Sequence, residues 1–291
     1  MQLGIVGIGR MGGGIRDRLR RAGHQVVGHD RRAELSDTTS LRDLAANLTA
    51  PRLVWLMVPP AATGPVVDEL ALALAAGDVV VDGGNSHYRA DRSRADRLGE
   101  RGIGFVDVGV SGGVWGPESG YALMVGGEDR HVRRCWPVFE ALRPAGGHGL
   151  VHAGGVGAGH YAKMVHNGIE YGLMQAYAEG YELLTRSGVV TDPVGVISSW
   201  RDGTVIRSWL LDLLDRALDE DPELAGVRGY AEDTGEGRWM VEEAVRLAVP
   251  VNAVAASLFA RFASRQDDSP AMKVVAALRQ QFGGHATGPE P

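Results

Sequence analysis

A short apolar segment, Leu3 to Val6, runs straight into Gly7-Ile8-Gly9-Arg10-Met11-Gly12, and this junction constrains the fold more than any other part of the chain. Met11, Ile15 and Leu19 then recur at helical spacing, Gly23 marks the helix end, and Gln25 to His29 reads as a second strand that stops at Asp30. A strand, a glycine turn, a helix, a strand and an acid in that order are the parts of a dinucleotide-binding unit. Gly7 permits the tight turn, Gly9 lets backbone approach a pyrophosphate, and Gly12 allows close packing of helix on strand. The helix N-terminus adds amide donors and a favourable dipole. Asp30 is placed to accept hydrogen bonds from an adenosine ribose, which favours NAD and repels a ribose phosphate. Arg31 and Arg32 follow directly and leave NADP open as an alternative.

The rest of the first half continues the pattern. Leu53 to Val58 and Val79 to Val81 are continuous apolar strands of the kind buried in a parallel sheet, separated by a helical segment from about 65 to 76. The turns after them, at Val58-Pro59-Pro60 and Asp82-Gly83-Gly84-Asn85-Ser86, fall at the carboxyl ends of strands, where open α/β sheets bind ligands. Ser86 reads as the cap of the next helix. With Met11 and Arg31, Val58 and Asn85 complete the expected cofactor contacts. Gly104 to Val110 leads into a further donor-rich turn, Ser111-Gly112-Gly113.

Beyond about residue 156 the periodicity is helical throughout, with one long helix to about 185 and shorter ones near 194–200, 205–218, 237–248, 251–264 and 270–281. The expected organisation is a Rossmann dinucleotide-binding domain over 1–155 and an all-helical domain over 156–291, with the ligand site expected in a cleft between them. The net charge of −6 and the lack of a basic block interleaved with aromatics argue against nucleic acid as a partner. No apolar run reaches the ~18 residues of a membrane helix. The single cysteine, Cys135, excludes an internal disulfide, sits among Trp136, Val138 and Phe139 as a buried structural thiol, and fits a reducing cytoplasm.

The long helix carries the chemistry. Lys163, His166, Asn167 and Glu170 stand at i, i+3, i+4 and i+7, so all four share one face. Seven residues of helix separate the amine from the carboxyl by ~10 Å along the axis, enough for a base and an acid to address different carbons of one small molecule. Met164, Val165, Ile169 and Leu173 offer apolar flanks that would bury the helix on its other sides.

With the glycine turn, Asp82 to Ser86, Ser111-Gly112-Gly113 and the run from Gly159 through His166-Asn167-Gly168-Ile169-Glu170 to Gly172, the chain resembles the decarboxylating 6-phosphogluconate dehydrogenases over nearly its whole length. One set of helices is similar to the short bacterial form. The resemblance implies oxidation of 6-phosphogluconate to ribulose 5-phosphate and carbon dioxide, with Lys163 as general base, Glu170 as general acid and no metal. It implies that Asn85, Ser111, Gly112, Gly113, His166 and Asn167 hold the sugar acid, and Tyr171 and Arg261 its phosphate. It further implies that Arg279 and His285 complete a neighbouring subunit's site, hence a homo-oligomer, a dimer or tetramer. One departure stands out: Asp233-Thr234-Gly235-Glu236-Gly237-Arg238 lacks the lysine of the long forms' phosphate loop, with Thr234 and Arg238 as substitutes. The alternatives are a 3-hydroxyacid dehydrogenase that does not decarboxylate, in which Glu170 has no essential task, and a non-catalytic NAD-binding protein.

Overall fold

The structure, a computed structural model, describes residues 1–283. The chain forms two compact units, Met1–Asn167 and the residues from Gly168 on.

In the first unit, seven strands among the described residues form one sheet: β1 (Gln2–Val6), β2 (Gln25–His29), β3 (Leu53–Leu56), β4 (Val79–Asp82), β5 (Gly104–Ser111), β6 (Ala122–Gly127) and β7 (Leu150–Gly154). Their order is β2-β1-β3-β4-β5-β6-β7. The first five strands run parallel, β6 is antiparallel to β5, and β7 is parallel to β6. The connections are α1 (Arg10–Arg21), α2 (Leu41–Ala46), α3 (Pro60–Ala73), α4 (Tyr88–Gly99), α5 (Gly116–Ser119) and α6 (Asp129–Leu142).

Alternation along the strands explains the two cores. Leu53, Trp55, Val79 and Val81 pack on one face with Ile15, Leu19 and Phe139, while Val54, Leu56 and Val80 pack on the other with Leu44, Leu70 and Leu98. Parallel strands covered on both faces lose polar alternation and read as apolar runs. Because the chain leaves β1 for β2 on one side and returns to β3 on the other, the topological switch point lies between β1 and β3, beside the glycine turn.

The remaining helices are α7 (Ala158–Arg186), α8 (Pro193–Ser199), α9 (Trp209–Glu220), α10 (Glu236–Leu247), α11 (Asn252–Ala263) and α12 (Pro270–Gly283). From Gly168 on, Ile197, Leu211 and Leu218 form a core against Tyr177, Tyr181 and Leu184. A Cβ on Gly168 would lie 2.1 Å from Met240 Sδ, so this glycine is what allows α7 and α10 to touch. The helix expected from 205 starts later. Ser208 caps it by accepting from the Leu211 amide, and Val205 is fully exposed at 101%. No helix among the described residues is long and apolar enough to cross a membrane.

Candidate active site

The glycine turn is built as its spacing demands at two positions and left open at a third. Gly7 has φ +93°, and a Cβ there would lie 2.5 Å from the Met57 carbonyl oxygen. A Cβ on Gly12 would lie 1.9 Å from the Gly7 carbonyl oxygen, so α1 rests directly on the turn. At Gly9 the same atom would meet nothing within 4 Å. The helix that follows has no side-chain cap and no acid in its first turn, which suits a pyrophosphate. Gly7, Gly9, Asp30, Arg31 and Val58 line a cavity of about 610 Å³ at this end of the sheet.

Asp30 anchors the far side of that cavity. Its Oδ2 accepts from the Ile8 amide at 2.7 Å, and its Oδ1 accepts from the Arg32 amide at 2.9 Å and from Arg32 Nε at 3.3 Å. Burial pushes the carboxyl up, but the amides of Arg32 and Ile8 and the Arg32 guanidinium outweigh it and hold the group below the usual range. Arg32 is therefore tied to Asp30, and both Arg31 and Arg32 line the cavity. Met11 packs against the sheet core. Asn85 is exposed, and a Cβ on Gly84 would come within 2.8 Å of the Val58 carbonyl oxygen, so the turns after β3 and β4 abut.

The lysine approaches the same sheet from α7. Lys163 is 8% exposed, and a Cβ on Gly109 would lie 2.5 Å from Lys163 Cβ and 2.7 Å from the Gly159 carbonyl oxygen. The side-chain-free surface of Gly109 is thus the seat of the lysine. Asp107, two residues earlier on β5, caps α7: its Oδ1 accepts from the Gly157 amide at 2.7 Å and its Oδ2 from the His160 amide at 3.0 Å. At the end of β5 the Ser111 hydroxyl stands 3.5 Å from His166 Nε2, and His166 Nδ1 stands 3.0 Å from Asn167 Oδ1. Gly112 and Gly113 take φ of +142° and +53° to make the turn. Lys163, His166, Asn167 and Ser111 are thereby brought together. The helix is unbroken from Ala158 to Arg186, so Glu170 keeps its place two turns beyond Lys163 and is half-buried.

In the second unit, Tyr171 is the centre of a separate cluster. Its hydroxyl accepts from the Thr234 amide at 3.4 Å, the Arg261 guanidinium stacks 3.4 Å from its ring centroid, and Arg261 Nη1 donates to the Glu232 carbonyl at 2.9 Å. Arg238 donates twice to Asp233, at 2.6 and 3.0 Å, and Arg265 donates to the same carboxylate at 3.1 Å. Hydrogen bonding from Arg238 is the main reason Asp233 lies below the usual carboxylate range. Arg238 is therefore engaged by Asp233. Arg279 is exposed on α12, and His285 lies outside the described residues.

Two expectations need correction. Ser86 does not cap α4: His87 Nδ1 accepts from the Arg89 amide, whereas the Ser86 hydroxyl donates to Asp82 Oδ2 at 2.7 Å. Ile169 and Leu173 do not bury the flanks of α7, being 52% and 43% exposed, while Met164 is 2% exposed. Sequence reasoning also passed over the buried groups Asp82, Asp91, Arg94, Asp107 and His160. The available signal was an acid inside an apolar strand, at Val81-Asp82 and Val106-Asp107-Val108, since such a carboxylate needs a partner.

An open glycine turn at the switch point of a Rossmann sheet, with a buried lysine seated on a neighbouring strand, defines a nicotinamide-nucleotide-binding dehydrogenase. Residues 2–144 match the family model described as the NAD binding domain of 6-phosphogluconate dehydrogenase, and residues 159–283 match the 6-phosphogluconate dehydrogenase C-terminal domain. The chain belongs to the 6-phosphogluconate dehydrogenase family. It is 42% identical over 297 residues to the NAD(+)-dependent, decarboxylating 6-phosphogluconate dehydrogenase of Haloferax volcanii, covering 98% of each chain. The Bacillus licheniformis 6-phosphogluconate dehydrogenase is 31% identical, over 91% of this chain and 62% of its own length, so this chain spans only part of that relative. Among solved structures, Plasmodium falciparum 6-phosphogluconate dehydrogenase superposes with a TM-score of 0.82 at 24% identity, covering 100% of this chain and 67% of that one. A 3-hydroxyisobutyrate dehydrogenase from Mycobacterium tuberculosis gives 0.72 at 19% identity, over 96% and 99%. At these identities the likeness is one of fold.

Proposed function

We propose that this chain oxidises 6-phosphogluconate and releases its carboxyl group, giving ribulose 5-phosphate, carbon dioxide and NADH. The observation that carries the reading is the seat of Lys163, a buried lysine whose Cβ and Cγ pack on Gly109, two residues before Ser111. NAD, when bound, would supply the acceptor for the hydride that leaves C3 of the substrate, and Gly7, Gly9 and the start of α1 would hold it, with Asp30 at the ribose. Lys163 as the neutral amine takes the proton of the substrate's 3-hydroxyl. The 3-keto acid so formed loses carbon dioxide, its electrons passing to the keto oxygen, and the Lys163 ammonium returns a proton to that oxygen. Glu170 in its acid form then protonates the former C2 of the enediol while the neutral Lys163 amine takes the proton back from the oxygen, leaving the ketone of ribulose 5-phosphate. No metal is required, because the β-keto group accepts the electron pair. Asn85, Ser111, Gly112, Gly113, His166 and Asn167 orient the sugar acid, and Tyr171 and Arg261 hold its phosphate. Arg279 and His285 serve the site of a second copy of the chain. The exposed apolar residues of α12, Met272, Val274 and Leu278, support such an oligomer. A buried lone thiol, Cys135, is in keeping with a reducing cytoplasm.

Glu170→Gln tests the assignment of the acid. In this variant oxidation proceeds but ribulose 5-phosphate formation is lost by orders of magnitude. Normal ribulose 5-phosphate formation in the variant would leave Glu170 without a task and overturn its assignment as the acid.

A further inference from the structure

Beneath the first turn of α7 lies a chain of buried charges that the reaction above does not use. His160, 3% exposed, has its Nδ1 2.7 Å from Asp91 Oδ2. Asp91 is fully buried on α4, and its other oxygen accepts from Arg94 Nη1 at 3.1 Å. The same guanidinium nitrogen reaches Asp82 Oδ2 at 3.4 Å, and Asp82 Oδ2 accepts from the Ser86 hydroxyl, whose oxygen lies 3.4 Å from Thr63 Oγ1. The series therefore runs from α3, which follows the Val58 turn of the cofactor cavity, through the Asn85 turn, to a residue one helical turn before Lys163. Asp107 adds a third carboxylate from β5, binding the His160 amide at 3.0 Å.

Such an arrangement is a poor way to stabilise a fold, since well-packed apolar groups of similar volume do as well or better. Ligand-type atoms of Asp82, Asp91 and His160 lie within 4.8 Å of one another, a spacing a cation could bridge. Arg94 already places a positive charge between the two carboxylates, so the cluster is complete without one. What the network does achieve is fixation. Helix α4, the end of β4 and the middle of β5 are tied to the first turn of α7, one helical turn before the lysine.

We propose that Asp91 and His160 form a positioning pair for Lys163, fixing the base of its side chain against Gly109 and holding an imidazole one helical turn away from it. The proposal rests on the reading of Lys163 as the base. Burial alone would lower the proton affinity of His160, but the Asp91 hydrogen bond and the surrounding carboxylates reverse that and raise it. An imidazolium at i−3 disfavours the ammonium form of Lys163, which the base must shed before it can act. His160 Nε2 has no hydrogen-bond partner among the described residues, so Asp91 alone orients the ring through its side chain.

The test compares Asp91→Asn, Asp91→Glu and His160→Gln with wild type and with Lys163→Met, following kcat, KM for NAD and for 6-phosphogluconate, and the pH profile of kcat/KM. The expected result is a fall in kcat of about tenfold to a hundredfold in Asp91→Asn, the scale of a ~1 Å misplacement, with KM for NAD unchanged and partial recovery in Asp91→Glu. In His160→Gln the acid limb of the profile moves upward by about one unit, as expected for losing a like charge at this range. Near-normal kcat in the folded variants, or a fall with the acid limb unmoved, would overturn the proposal. Full turnover in Lys163→Met would instead remove the reading of the base on which it stands.

Discussion

Gly109→Ala isolates the seat of the lysine from every polar contact around it. The added methyl would stand 2.5 Å from Lys163 Cβ and 2.7 Å from the Gly159 carbonyl oxygen. Comfortable separations are about 3.5–4.0 Å, so the first turn of α7 must retreat by about 1 Å. Neither neighbour is the far end of a flexible side chain, and the Gly159 carbonyl belongs to a helix already pinned by Asp107. Overpacking of this kind costs about 1–3 kcal/mol, which leaves the domain folded. Displacing the base by about 1 Å costs about a hundredfold in rate. The assay is steady-state NADH formation from 6-phosphogluconate alongside thermal unfolding, with dinucleotide binding measured separately. The expected variant is folded, binds NAD normally and is slow. A Gly109→Ala protein with wild-type kcat would refute the claim that this contact sets the lysine's position.

Asp30→Ala should raise KM for NAD by about tenfold or more, the scale of a lost charge-assisted hydrogen bond, while KM for NADP falls or stays level; equal losses for both cofactors would count against Asp30 as the ribose acceptor. Asp233 lies below its ordinary value of 3.8 because Arg238, and then Arg265, favour its charged form over the opposing effect of burial. Its contribution is therefore complete above about that pH and lost as pH falls through the lower folded value, so the difference in urea midpoint between wild type and Asp233→Asn should shrink on acidification. For His160 the sign is opposite: its proton affinity rises from 6.5 to about 9, so its contribution is present below 6.5 and lost as pH rises through about 9. The pH dependence of stability in that window should flatten in His160→Gln. Burial pushes the Cys135 thiol up to about 12, and activity should survive thiol reagents under native conditions.

The parallel core of the sheet was legible because its strands are buried on both faces and bounded by glycine turns. The strands β6 and β7 were not, since Ala122–Gly127 is half glycine and small residues and Leu150–Gly154 alternates weakly at a partly exposed edge. The face of Lys163, His166, Asn167 and Glu170 could be read from spacing alone, because a helix makes that spacing geometry. The seat at Gly109 could not, since it depends on a contact between residues far apart in the chain that no local period reveals. Asp91 and His160 are separated by 69 positions, and nothing in the periodicity around either points to the other. Arg238, a candidate substitute for the missing loop lysine, pairs with Asp233 in the folded loop, a contact its place in the sequence does not announce.

In the proposed reaction one site both oxidises and decarboxylates, with its base on the part of α7 that rests on β5. Carboxyl-labelled 6-phosphogluconate supplied with NAD tests this directly, by counting labelled carbon dioxide against NADH in the same reaction. The expected result is one molecule of each per turnover in the wild type and neither in Lys163→Met. NADH without labelled carbon dioxide, or undiminished release of both from the lysine variant, would contradict it.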